Sequence, residues 1–357
     1  MNAYATVLLP MVLGMVAASS IACRKGPPPA VPLQEAECTE GFAEWGLAEN
    51  GFFGTSPENG LEIWTWDGSS PKGQPGVRIR RATHVIPLAN GSYLACESPR
   101  VPDTSWPLVI RHPASPDPVR EWAPPLHWGY RDIGISRSRK FAPLILKEDL
   151  GDPPPGYNWR NPRLRIGLVD VDSLDLRWVL EHRGEVYGDI RQITSSDDGK
   201  YIALAGWNNG IALVDAEAKA IKWTKKPAGS VSFGYALFSS DGLTLYAADA
   251  GGGCVYAFET QTGNVIRQCY ATETGQSIYG HRISCLAISP DENWIAAGTG
   301  PEGQVFLMST APSGGKPTLL PHGLSTIRIV SFSPDSKYLA SVAAGKIKVW
   351  AVSTTTL

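Results

Sequence analysis

Charge of one sign is scarce in this sequence, and the scarcity narrows its partners. Thirty-two Lys and Arg stand against 34 Asp and Glu, a formal net charge of −2. With no basic run longer than three residues, no global field draws the chain to nucleic acid or to an acidic membrane surface. Metal-ligand spacing is missing too: His84, His112, His127, His182, His281 and His322 are scattered, none at a ligating interval from a Cys or a second His. There is no GxSxG. A GxGxxG exists in form only, as Gly298-Thr299-Gly300-Pro301-Glu302-Gly303, because the residues after it read as a strand and offer no helix N-terminus to a phosphate. Nothing in the sequence asks for a cofactor.

The chain is rich instead in turn residues, 37 Gly and 29 Pro among 357, and in a repeated pattern. The cleanest copy is residues 327–352: an apolar strand ending in Ser333-Pro334-Asp335, a turn through Ser336-Lys337, a second strand, a turn at Gly345 and a third strand. Asp335 matches Asp291, Asp241 and Asp198, at spacings of 44, 50 and 43 residues. Asn90, Asn50 and Ser138 mark weaker copies upstream, which makes seven anchors. Asp, Asn, Gly and Pro recur at the anchor because they accept the backbone angles of a tight hairpin that β-branched residues resist. A repeat of this period signals stacked units, each covering the face its neighbour cannot bury alone. The strands between turns, such as residues 201–205, 245–248 and 294–297, are near-continuous apolar runs, as strands buried on both faces should be.

The fold expected is all-β, a seven-bladed β-propeller of four-stranded antiparallel blades. The last copy ends after its third strand, and residues 31–38 supply one strand more than the first blade needs. This N-terminal strand is expected to complete the last blade and close the ring. The C-terminal copies resemble WD repeats, with Trp350-Ala351 at a third-strand end, Gly280-His281 at the entry to the sixth copy and Trp66-Asp67 in the first. The resemblance implies a protein-binding propeller. Its His, Asp, Ser/Thr and Trp network is incomplete here, since Ala344 stands where Asp is usual. The turns around Asp170, Asp215 and Glu259 are similar to those of quinoprotein-like propellers, a family that holds both dehydrogenases and cofactor-free envelope scaffolds. The dehydrogenases are expected to show adjacent cysteines, which this chain lacks.

Residues 1–22 carry no charged side chain and an apolar core over 7–18, and they end in small residues before Cys23, as an export signal does. Ser20-Ile21-Ala22-Cys23 resembles a bacterial lipoprotein processing site, which implies lipidation of Cys23, an envelope location and a membrane held by the lipid anchor only. Soluble secretion, or a cytosolic chain with an unprocessed N-terminus, are the other readings. The organisation expected is therefore a signal over 1–22, an anchor and Pro-rich tether over 23–31, and one propeller over 32–357. Cys254 and Cys269 fall opposite each other in a hairpin centred on residues 260–263. That register suits either a disulfide or two unlinked core thiols.

Two long loops, residues 97–107 and 147–162, lie between second and third strands. With the connections to the following blades they collect Arg100, Trp106, Trp122, His127, Trp128, Tyr157, Trp159 and Arg160 on one rim. These are the residue types of interaction hot spots, and they serve equally well to fill gaps between loose blades. Arg137, Arg139 and Lys140 read as a solvated turn on the opposite rim. The leading reading is a non-catalytic exported scaffold that binds a protein partner through the loop face. The alternative is a ligand-binding or enzymatic propeller that uses its central channel, through Asp189, Arg191, Arg131, Asp132 and Arg328.

Overall fold

One local motif starts each of the best-formed sheets. Ser196, Ser239, Ser289 and Ser333 each donate a hydroxyl hydrogen bond, at 2.5–2.6 Å, to the Asp two residues on. The same Asp oxygen accepts the backbone N–H of Lys200, Leu243, Asn293 or Lys337. The Ser oxygen in turn accepts the N–H of the residue opening the next strand, Tyr201, Thr244, Trp294 or Tyr338, at 2.9–3.0 Å. The residue after each Asp has a positive φ: 67° at Gly199, 68° at Gly242, 60° at Glu292 and 61° at Ser336. The turn thus satisfies its own polar groups and reverses the chain within a few residues.

The computed structural model describes residues 32–37, 44–48, 51–56, 60–66, 71–77, 82–88, 92–97, 107–112, 118–122, 128–148, 163–183, 190–206, 208, 210–226, 232–270, 282–300, 302–311, 316–323 and 325–352. All their regular structure is strand, apart from an isolated helical turn at Asn208. The strands form four-stranded antiparallel sheets in a propeller, and among the described residues there are seven. In chain order sheet 1 spans residues 44–77, sheet 2 82–122, sheet 3 128–183, sheet 4 192–225, sheet 5 233–270 and sheet 6 282–321. Sheet 7 joins residues 329–351 to Gln34–Glu37, which pairs antiparallel with Lys346–Ala351 in the register Gln34↔Val349 to Glu37↔Lys346. Glu35 and Lys348 stand opposite in that register, with an ion pair at 3.0 Å. The first blade opens with the strand Glu44–Ala48.

First strands of successive sheets lie side by side: Gln192–Ser195 on Phe233–Phe238, that on Arg282–Ile288, and that on Ile329–Phe332. They form the inner wall. Burial falls outward from it. In sheet 4 Tyr201–Ala205 is buried throughout, whereas the outermost strand Ala220–Lys225 alternates between exposed and half-buried. The continuous apolar pattern therefore holds for second and third strands and fails for fourth strands, which are in contact with solvent. Between sheets, large residues meet small ones: Phe233 and Phe258 pack with Ala203, Ala205 and Ala247 across sheets 4 and 5. Each buried Phe of this kind contributes about 2–3 kcal/mol.

Candidate functional site

In first strands, the ends away from the Ser-Asp turns carry irregularities. First strands bulge between Tyr130 and Asp132 in sheet 3, Phe233 and Tyr235 in sheet 5, and Ile283 and Cys285 in sheet 6. The residues left out of register are Arg131, Gly234 and Ser284, at equivalent points of their sheets. Bulges re-aim side chains at sheet rims. The bulges at Gly234 and Ser284 border a pocket of about 380 Å³ at the mouth of the channel, lined among others by Arg191, Tyr235, Arg282, Gly300 and Thr326.

Cationic groups dominate this mouth. Arg191, Arg282 and Arg328 are exposed, and none of their three side chains forms a hydrogen bond or ion pair with another described residue. The carboxylates at the same level are occupied by backbone. Asp132 accepts the N–H of Ile133 and, across sheets, of Ile193, both at 3.0 Å, and buried Asp249 accepts those of Ser232 and Gly251 at 3.1 Å. Burial pushes the Tyr235 phenol up to about 12, with the Cys285 thiol adding to the rise while Arg191 and Arg328 oppose it. Tyr235 therefore remains a hydrogen-bond donor at any physiological pH.

The opposite rim is cross-linked from sheet to sheet. Arg137, in the first turn of sheet 3, reaches sheet 6 and donates to Glu292 Oε1 at 2.5 Å and to the carbonyls of Ser289 and Pro290 at 3.1 Å. The same Glu292 oxygen accepts the N–H of Ser240 from sheet 5. Ser138 N–H donates to Asp197 in sheet 4, and Asp291 N–H to Ser336 in sheet 7. Arg137 is thus no solvated turn residue: it ties together sheets that are not neighbours in sequence.

Of the rim residues read from the sequence, Arg100, Trp106, His127, Tyr157, Trp159 and Arg160 lie outside the described residues, as do Cys23 and Asp189. Trp128 opens the first strand of sheet 3, opposite Glu148. Trp122 is half-buried, its ring edge-on to Trp178 at 6.0 Å, and it packs into the core shared by sheets 2 and 3. Trp223 acts similarly in sheet 4, lying against Phe258 at 5.9 Å and donating its Nε1–H to Thr260 O at 2.8 Å. Fourth-strand tryptophans are packing groups here. Cys254 and Cys269 are free thiols. A bulge between Ala257 and Phe258 shifts the hairpin register by one, so that Val255 faces Cys269 and Cys254 faces Tyr270.

Sequence reasoning missed one network. His322 Nδ1 and Trp350 Nε1 each lie 2.8 Å from Ser341 Oγ, all three side chains buried. The group links the end of sheet 6 to the second and third strands of sheet 7. Burial pushes the His322 imidazole down to about 4, helped by the nearby Lys348 ammonium. The signal in the sequence is a His standing 28 residues before the Trp.

The model of the WD domain, G-beta repeat, matches residues 272–307 and 316–351. The second match begins in the last strand of sheet 6 and runs through three strands of sheet 7, the span held by His322, Ser341 and Trp350. No curated protein matches the chain by sequence. Among solved structures, a chain in a crystal structure of a mitotic checkpoint complex is 16% identical with a TM-score of 0.63, covering 97% of this chain and 100% of that one. The Cps50 (Swd1) β-propeller domain of Myceliophteria thermophila is 12% identical with a TM-score of 0.46, over 82% of this chain and 100% of that one. Fold and repeat together make this chain an all-β propeller that carries WD repeats over its sixth and seventh sheets.

Proposed function

We propose that this chain is a non-catalytic scaffold, exported and lipid-anchored at Cys23, that holds a protein partner on the loop face of a seven-bladed ring. The observation that carries the reading is the WD repeat itself, matched over residues 272–307 and 316–351 on a propeller fold, since such propellers serve in general as interaction platforms. Ring closure draws support from two contacts: Gln34–Glu37 pairs with the last strand, and Glu44–Ala48 of sheet 1 lies beside Ile329–Phe332 of sheet 7. A ring latched by both chain ends is rigid, and rigidity lowers the entropy cost of binding through its loops. Export rests on the uncharged residues 1–22 ahead of Cys23.

The test is capture from native membranes with the wild-type chain and with the triple variant Trp106→Ala, Trp128→Ala, Trp159→Ala. A defined partner that is retained by the wild type and lost by the variant is expected. Recovery of the chain alone in both cases overturns the scaffold reading. Mass spectrometry of the mature N-terminus tests the anchor separately, a diacylglyceryl-modified Cys23 being the expected species and an intact Met1 the contrary one.

A further inference from the structure

We propose that the pocket at the open mouth of the channel binds the oxyanion of a small molecule, a carboxylate or a phosphate, on the guanidinium groups of Arg191 and Arg282, with Arg328 close by. The site goes beyond the scaffold reading, because it needs no protein partner and lies on the inner wall, not on the outer loops. Arg191 and Arg282 line the pocket and Arg328 acts electrostatically on the lining Tyr235, while the carboxylates of Asp132 and Asp249 already accept backbone N–H groups. Arg is the side chain best suited to grip planar or tetrahedral oxyanions, through paired N–H donors.

The rest of the lining completes a donor set. Thr326 brings a hydroxyl and Tyr235 a permanently protonated phenol, and both line the pocket. The Ser284 hydroxyl faces inward to protein, donating to the carbonyl of Ile327 at 2.7 Å. Two glycines shape the walls. A Cβ at Gly300 would stand 2.4 Å from Thr326 Oγ1, and one at Gly234 would stand 3.1 Å from Ala250 Cβ and 3.9 Å from Arg191 Cδ. A side chain at Gly300 would displace Thr326, and one at Gly234 would crowd Ala250. The volume, about 380 Å³, is in the range of small-molecule sites and not of extended peptides.

Calorimetric titration of the full chain at constant ionic strength, with inorganic phosphate, with succinate and with a hexaglutamate peptide, tests the assignment. Saturable one-to-one binding of phosphate or of succinate is expected, and which of the two binds more tightly identifies the oxyanion. Arg191→Ala and Arg282→Ala should each weaken it about tenfold, the worth of one charge-assisted contact, and Thr326→Val should weaken it by a smaller factor. Lys222→Ala, on the exposed outer strand of sheet 4, should leave it unchanged. Unaltered denaturation midpoints in the Arg variants show that the fold is retained. The proposal is overturned by the absence of saturable heat with both small anions, by binding of hexaglutamate alone, or by equal weakening in Lys222→Ala.

Discussion

At the scale of single residues, the informative contrast is between Asp198 and His322. The Ser-Asp turns were legible because every atom they use lies within five residues of sequence: Ser196, Asp198, Lys200 and Tyr201 make the whole device. His322 was illegible because its partners, Ser341 and Trp350, come from two later strands that only the folded sheet brings together. Its titration makes a prediction. The folded imidazole has a pKa of about 4 against an ordinary value of 6.5, so the unfolded chain binds the proton more readily between those limits. The stability tied to neutral His322 is therefore complete above about pH 6.5 and is lost as the pH falls toward 4. The loss between pH 7.5 and pH 5 is about 2 kcal/mol. Urea unfolding at the two pH values should show it, and His322→Gln should remove that part of the pH dependence. An unchanged pH dependence in the variant would mean that His322 takes up its proton as readily in the fold as in the unfolded chain.

At the scale of strands and hairpins, one residue of irregularity decides what the pattern alone leaves open. Counting from the tip of the hairpin around residues 260–263 sets Cys254 against Cys269, and the bulge at Ala257 and Phe258 undoes that pairing. Such bulges leave no local signature, because the inserted residue differs from its neighbours only in what lies across the strand. The thiols that result are poor nucleophiles: burial raises Cys254 to about 12 and Cys285 to about 12. Since the thiolate is the reactive form, iodoacetamide at pH 8 should modify neither residue in the folded chain and both in urea, as read by peptide mass spectrometry. Fast native labelling of Cys254 would place it at a surface that its 2% exposure excludes. Fourth strands taught a related lesson. Trp122 reads as a binding residue in the sequence, yet an outer strand must still cover its neighbour, and large rings such as Trp122 and Trp223 do that best.

At the scale of the whole molecule, the repeat made the sheet architecture readable, since period and turn chemistry recur whatever the side chains between them. The lacing of the turns was not readable. Arg137 meets Glu292 across 155 residues, and no period relates them. The latch between the chain ends can be tested directly: Glu35→Cys with Lys348→Cys places two thiols at facing positions of adjacent strands. Oxidation should link them and raise the urea midpoint above that of the reduced form. Failure to form the bond would separate the two strands. The same pairing has a bearing on biosynthesis. Glu37 emerges from the ribosome 309 residues ahead of Lys346, its partner in the seam, an interval of roughly 15–60 s at ordinary elongation rates. Throughout it the nascent chain displays one solitary strand with nothing to zip to, and a message cut short anywhere upstream of Lys346 yields a product with two bare sheet edges, prone to sticking, instead of a smaller working ring.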